Sequence, residues 1–126
     1  MREETQRDRR GTERVPANHA LRPIASLISK SEKAQQKLAA GTWQHTMLRD
    51  NLKALHIASA LMNRPTGRFP RDDLQEALRA LASMIRKTGS ARAKFPHGTS
   101  QHTLQRNRLK ALRMAAVLMK AALDKR

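Results

Sequence analysis

A short sequence that can bind anions or read bases occurs twice in the chain, as Gly-Thr-x-Gln-His-Thr. The first copy starts at Gly41 and the second at Gly98, an offset of 57 residues. A glycine before a helix start leaves backbone N–H groups available to an anion, and glutamine and histidine can hydrogen-bond to base edges. The same residues also suit a purely structural turn, in which glycine permits the bend and threonine caps the helix. The sequence leaves both interpretations open.

Cationic side chains follow each copy at helical spacing. After the second copy, Arg106, Lys110 and Arg113 are separated by four and three residues, which places them on one face of a helix. Arg49 and Lys53 hold the corresponding positions after the first copy. A row of this kind can follow a phosphate backbone, although a solvated helix face explains it without any ligand.

The charge balance indicates the kind of partner. The chain has a net charge of +16, from 26 lysines and arginines against 10 acidic residues. Residues 65–126 contain 14 basic and 4 acidic residues, and no acidic residue lies between Ala77 and Leu123. Such an excess favours polyanions, with nucleic acid first, and a pair of related turns suits duplex DNA better than RNA. We therefore predict a non-catalytic nucleic-acid-binding protein that makes mainly phosphate contacts.

The predicted binding residues come from the cationic row, the segment before it and the two turns. They are Arg86, Lys87, Arg92, Lys94, Gln101, His102, Arg106, Arg108, Lys110, Arg113, Gln44, His45, Arg49 and Lys53.

A protein-interaction module is the alternative function, in which the basic surface docks an acidic partner as an adaptor, inhibitor or regulatory subunit. The single tryptophan, Trp43, matters more in that case, and its counterpart in the second copy is Ser100. Trp43 either covers the core near the linker or is an exposed contact residue. Peripheral binding to an anionic membrane is a third and weaker expectation.

Several classes of site are not expected. The chain has no cysteine, and no carboxylate stands at ligand spacing beside the histidines, so we predict no metal site and no cofactor. No nucleophile, base and acid can be assembled into a catalytic set. The sequence also has no apolar run of 18 residues and no signal-peptide pattern at its start, which leads us to expect a cytoplasmic protein without membrane insertion.

The elements that position these residues are predicted from an internal repeat. Residues 19–64 and 76–121 share 22 identities over 46 ungapped positions. In each copy a helix precedes the Gly-Thr turn and a second helix follows it, capped by Thr42 or Thr99, with shared apolar positions at 47/104, 52/109, 55/112, 58/115, 61/118 and 62/119. The first helix is expected to start or kink at Pro23, and the third is expected to end at Gly89.

The predicted fold is all-α, with two tandem helical hairpins packed as a small four-helix domain. Residues 1–16 form a flexible arm, 17–64 the first hairpin repeat, 65–70 a linker rich in turn residues, and 71–126 the second hairpin repeat.

Overall fold

Four helices make up the computed structural model, which describes residues 2–125 and gives side chains from His19 onward. They are α1 (Arg2–Gln36), α2 (Trp43–Asn63), α3 (Arg71–Ala93) and α4 (Ser100–Asp124), and no strand occurs within residues 2–125. The prediction of an all-α, four-helix fold is confirmed. The arm predicted for residues 1–16 lies outside the residues whose side chains are described, and it stays a prediction.

Glycine is required at the turn that precedes each second helix. Gly41 has a φ of 90° and Gly98 a φ of 89°, and these are the two positive-φ glycines of the described chain. A residue with a side chain is disfavoured in this conformation, whereas glycine adopts it without steric cost. The two copies of the repeated sequence therefore build the same bend.

Threonine caps the helix that follows each bend. The hydroxyl oxygens of Thr42 and Thr99 accept hydrogen bonds from the backbone N–H groups of His45 and His102, both at 3.2 Å. Each hydroxyl also donates to the carbonyl oxygen three residues earlier, at 2.8 Å. Such a cap satisfies one of the N–H groups left free at a helix start, and losing it costs about 1 kcal/mol. Both predicted caps are confirmed.

One expected helix end is wrong, and one of the two alternatives at Pro23 is excluded. The third helix does not end at Gly89, because α3 continues to Ala93. A helical glycine costs about 1 kcal/mol relative to alanine, a penalty that packing can offset, and Ala91 and Arg92 beyond it are half-buried. A helix start at Pro23 is also excluded, since α1 extends on both sides of it.

The helices form a ring in chain order around one apolar core. Neighbours in sequence pack together, α1 closes the ring against α4, and α2 contacts α4 across the middle, while α1 and α3 share no contact among the described residues. Each second helix thus packs against the first helix of both hairpins. The largest fully buried side chains come from all four helices: Ile24, Leu55, Leu61, Leu74, Leu81, Leu109, Leu112 and Met119.

The predicted apolar stripe is buried over most of its length. Leu52, Leu55, Ala58, Leu61 and Met62 of α2 are buried, as are the α4 counterparts at 109, 112, 115 and 119. Position 118 and position 47 are half-buried. The exception is residue 104, a leucine that is 44% exposed in the first turns of α4.

Candidate nucleic-acid interface

A row of three unpaired cations runs along the solvent side of α4. Arg106, Lys110 and Arg113, here called the outer row, are all exposed. They lie opposite the buried Leu112 and Ala115, as the spacing requires. No carboxylate among the side chains of residues 19–125 forms an ion pair with any of them. The outer row is therefore an uncompensated line of positive charge on a rigid element.

The corresponding cations of α2 are compensated. Lys53 Nζ lies 3.0 Å from Asp73 Oδ1, and Arg49 Nε lies 3.7 Å from Asp50 Oδ1. The hydrogen bond and the negative charge of Asp73 raise the pKa of Lys53. Arg49 and Lys53 are predicted binding residues that the structure places on the surface, but with acidic neighbours that weaken their field toward a polyanion.

The predicted residues on α3 and in the following turn do not all join the outer row. Arg86, Lys87 and Lys94 are exposed and Arg92 is half-buried. Lys87 Nζ lies 3.5 Å from the sulfur of Met47, so it sits on the side of α3 that faces α2. Lys87 therefore lies apart from the outer row of α4.

His102 is turned inward at the start of α4. Its side chain is buried, at 8% exposure, and its ring lies 4.3 Å from the ring of His97, centroid to centroid. Burial lowers the pKa of His102, and the charges of His97, Arg92 and Arg106 lower it further. The imidazole therefore favours its neutral form at neutral pH, next to positively charged side chains.

Of the other polar residues of the turns, some are exposed and some are half-buried. Gln44 and Gln101 are exposed at the first turns of α2 and α4. His45 is half-buried, and its carbonyl oxygen accepts a hydrogen bond from Gln35 Nε2 at 3.3 Å. Gly and Thr of each turn thus have a structural role, and the glutamines face solvent.

Arg108 lies on the opposite side of α4 from the outer row. It is 8% exposed, Nη2 lies 3.5 Å from Ser26 Oγ, and Nε has no hydrogen-bond partner in the described part of the chain. Burial lowers the pKa of this guanidinium. Its spacing from the buried Leu112 and Ala115, four and seven residues on, is the sequence signal for this placement.

Trp43 stands fully on the surface beside a groove between α2 and α3. The groove has a volume of about 890 Å³ and its lining includes Trp43, Asp50, Asp73, Glu76 and Ala80. Trp43 is 70% exposed, so the interpretation in which it covers the core is wrong. The sequence could not decide this, because the counterpart serine carries no packing information.

The described residues offer neither a metal site nor a membrane-spanning helix. No group of three or more histidine or acidic side chains converges as a metal site within residues 19–125. None of the helices, over the range described, is both long and apolar enough to cross a bilayer. Comparison with protein-family models, with curated proteins and with solved structures found no match.

Proposed function

We propose that this protein binds nucleic acid without catalysis, mainly through phosphate contacts made by the outer row of α4. The observation that carries the proposal is the contrast between two equivalent helices. Arg106 and Lys110 are exposed and pair with no carboxylate of residues 19–125, whereas Arg49 and Lys53 at the corresponding positions lie beside carboxylates. Uncompensated charge on a solvent-facing helix is what a polyanion-binding surface requires.

The dimensions of the outer row fit a double helix. From Arg106 to Arg113 the row extends about 10 Å along α4. Duplex DNA presents one charge per about 1.7 Å of its axis, so about six phosphates lie within that length. Three cations on a rigid helix can therefore each meet a different phosphate.

Duplex DNA fits this surface better than the other nucleic acids. The major groove of B-DNA is wide enough for an α-helix, whereas A-form RNA has a deep and narrow major groove. Single-stranded nucleic acid is bound largely through aromatic stacking, and Trp43 is the one strongly exposed aromatic side chain among residues 19–125.

Salt dependence tests the proposal directly. We expect the affinity for a labelled duplex oligonucleotide, measured by fluorescence anisotropy, to fall linearly with salt concentration on a log–log scale. The slope should correspond to at least three phosphate contacts. Duplex RNA and polyglutamate of matched charge serve as comparisons. Absence of DNA binding at low salt would refute the proposal, and tighter binding to polyglutamate would assign the outer row to an acidic protein.

A second candidate function is a protein-interaction module, favoured by exposed Trp43 beside the α2–α3 groove. Exposed tryptophans are often the anchors of protein interfaces. This groove has no excess of positive charge for an acidic partner, which leaves the outer row as that partner's surface. Its charged lining consists of three acidic and three basic residues: Asp50, Asp73, Glu76, Arg49, Lys53 and Arg79. Capture of one protein that survives nuclease treatment of the extract would support this candidate over the first.

A further inference from the structure

Arg108 is a buried charge without a compensating partner. Nε has no hydrogen-bond acceptor among the described residues, and the contact between Nη2 and Ser26 Oγ, at 3.5 Å, is at the limit of a hydrogen bond. No carboxylate of residues 19–125 pairs with this guanidinium. A buried cation left in this condition opposes folding, so its presence calls for an explanation beyond stability.

The surface above Arg108 is cationic. Arg22 and Lys30 flank Ser26 at four residues on either side, and all three are exposed on α1. Side chains four residues apart are neighbours on a helix surface. From His19 to the end of α1 the one acidic residue is Glu32, six positions from Ser26, which puts it about 120° away around the helix. Arg22 and Lys30 thus lie about one helical turn on either side of the serine that Arg108 contacts, and neither forms an ion pair with a side chain of residues 19–125.

The same three surface residues recur on α3. Arg79, Ser83 and Lys87 repeat the spacing of Arg22, Ser26 and Lys30 at the offset of 57 residues. The repeat of a cation, a hydroxyl and a cation on the side of the helix next to a second helix is not explained by the core, since none of these residues is buried. The order of a cation, a hydroxyl and a cation on the first helix is therefore common to both hairpins.

The residue that faces this arrangement differs between the hairpins. Asn51 of α2 occupies the position that Arg108 occupies in α4, and together with Arg79 and Ser83 it lines the open α2–α3 groove. Asp50 and Glu76 add negative charge to that groove. Their counterparts on the α1 side are Asn107 and His19, so the site at Arg108 lacks both carboxylates.

We propose that Arg108, Ser26, Arg22 and Lys30 form a binding site for a phosphate group. A guanidinium is a planar fork of donors that matches phosphate oxygens, so a bound phosphate would supply acceptors and negative charge to this unpaired group. The serine hydroxyl adds a donor, and the two flanking cations add charge. The phosphate belongs either to a nucleic-acid backbone or to a free phosphate or phosphorylated small molecule.

Thermal unfolding in phosphate tests the site without nucleic acid. Sodium phosphate or pyrophosphate is compared with sodium chloride at equal ionic strength and pH. At ten times the dissociation constant, we expect phosphate to raise the unfolding midpoint by roughly 3 to 7 °C. Arg108→Met keeps the volume but removes the guanidinium, and it should abolish this rise while leaving the midpoint in chloride unchanged or higher.

Two further variants keep the test decisive. Asn51→Met alters the equivalent position of the other hairpin and should retain the phosphate effect. Arg22→Gln with Lys30→Gln leaves Arg108 in place and should weaken phosphate at least tenfold, even if Arg108→Met fails to fold. Equal unfolding midpoints in phosphate and chloride for the unaltered protein, or a phosphate effect that survives the α1 double substitution, would overturn the proposal.

The affinity of the same variants for duplex DNA distinguishes the two sources of the phosphate. If a backbone phosphate occupies the site, Arg108→Met lowers DNA affinity about three- to tenfold and reduces the salt slope by about one. If the phosphate effect is lost and DNA affinity is unchanged, the ligand is free phosphate or a small phosphorylated molecule. Loss of DNA binding only on substitution of the outer row would leave the proposed function standing and remove this site from it.

Discussion

Replacing Arg106, Lys110 and Arg113 together with glutamine removes the outer row and should remove most of the affinity for DNA. Each cation is exposed and unpaired by any carboxylate of residues 19–125, so each can release a counterion from a phosphate. Each such contact contributes about 0.9 to the log–log salt slope. Three contacts give a slope that is shallower by about 2.7, and at 0.1 M salt an affinity that is lower by about 500-fold.

The assay is anisotropy of a labelled duplex over a salt series, with circular dichroism to establish that the variant is folded. The matched control is Arg64→Gln, Arg68→Gln and Arg71→Gln, three exposed cations in and next to the segment between α2 and α3. This control removes the same net charge from another place. Its slope should change by less than about one, because distant charges act only through the screened field. Equal changes in the two triple variants would refute a localised binding face.

The remaining predictions concern the fold that carries this face. Gly89→Ala should raise the free energy of unfolding by up to about 1 kcal/mol, because Gly89 is helical and a Cβ there meets nothing within 4 Å. Gly98→Ala should lower the free energy of unfolding by about 1–2 kcal/mol, because Gly98 has a φ of +89°. Changes of the same sign in urea denaturation would contradict this argument. Because the pKa of His102 is lowered in the folded protein, the unfolded chain binds a proton at this residue more readily than the folded one. The contribution of neutral His102 to stability is therefore present above about pH 6.5 and is lost as the pH falls. His102→Gln should therefore reduce the loss of unfolding free energy on acidification more than the counterpart substitution His45→Gln does. Equal pH profiles of the unfolding free energy for the two variants would contradict this reasoning. Trp43→Ser should change the free energy of unfolding by less than about 0.5 kcal/mol, since the side chain is 70% exposed; a larger loss would show that Trp43 supports the fold.

The architecture could be predicted because two independent signals agree in each hairpin. The Gly-Thr pairs at 41–42 and 98–99 mark helix starts, and the apolar period that follows marks the buried side. The end of α3 could not be predicted, because a single glycine is a preference of about 1 kcal/mol that tertiary packing outweighs. The exposure of Leu104 has a related cause: periodicity shows which face is apolar, but not how far along the helix a partner covers it.

The candidate site was predicted in part, since composition identifies cations but not their neighbours. Arg106, Lys110 and Arg113 face solvent as their spacing requires. Lys53 pairs with Asp73 of another helix, a contact over 20 residues that local spacing cannot indicate. Arg108 was predicted to bind because it is close to these cations in sequence, although its position on the helix places it on the buried side.

The ring of helices has a consequence for how many polyanions one molecule can bind. Two identical hairpins packed in this way would display two equal outer faces, and a protein of that kind could bridge two strands of DNA. Here one face carries the free charges of α4, and the other carries Lys53 and Arg49 beside carboxylates. Under the proposed function, this difference in side chains leaves one outer row for a duplex, so the protein should coat a single duplex and not crosslink a pair.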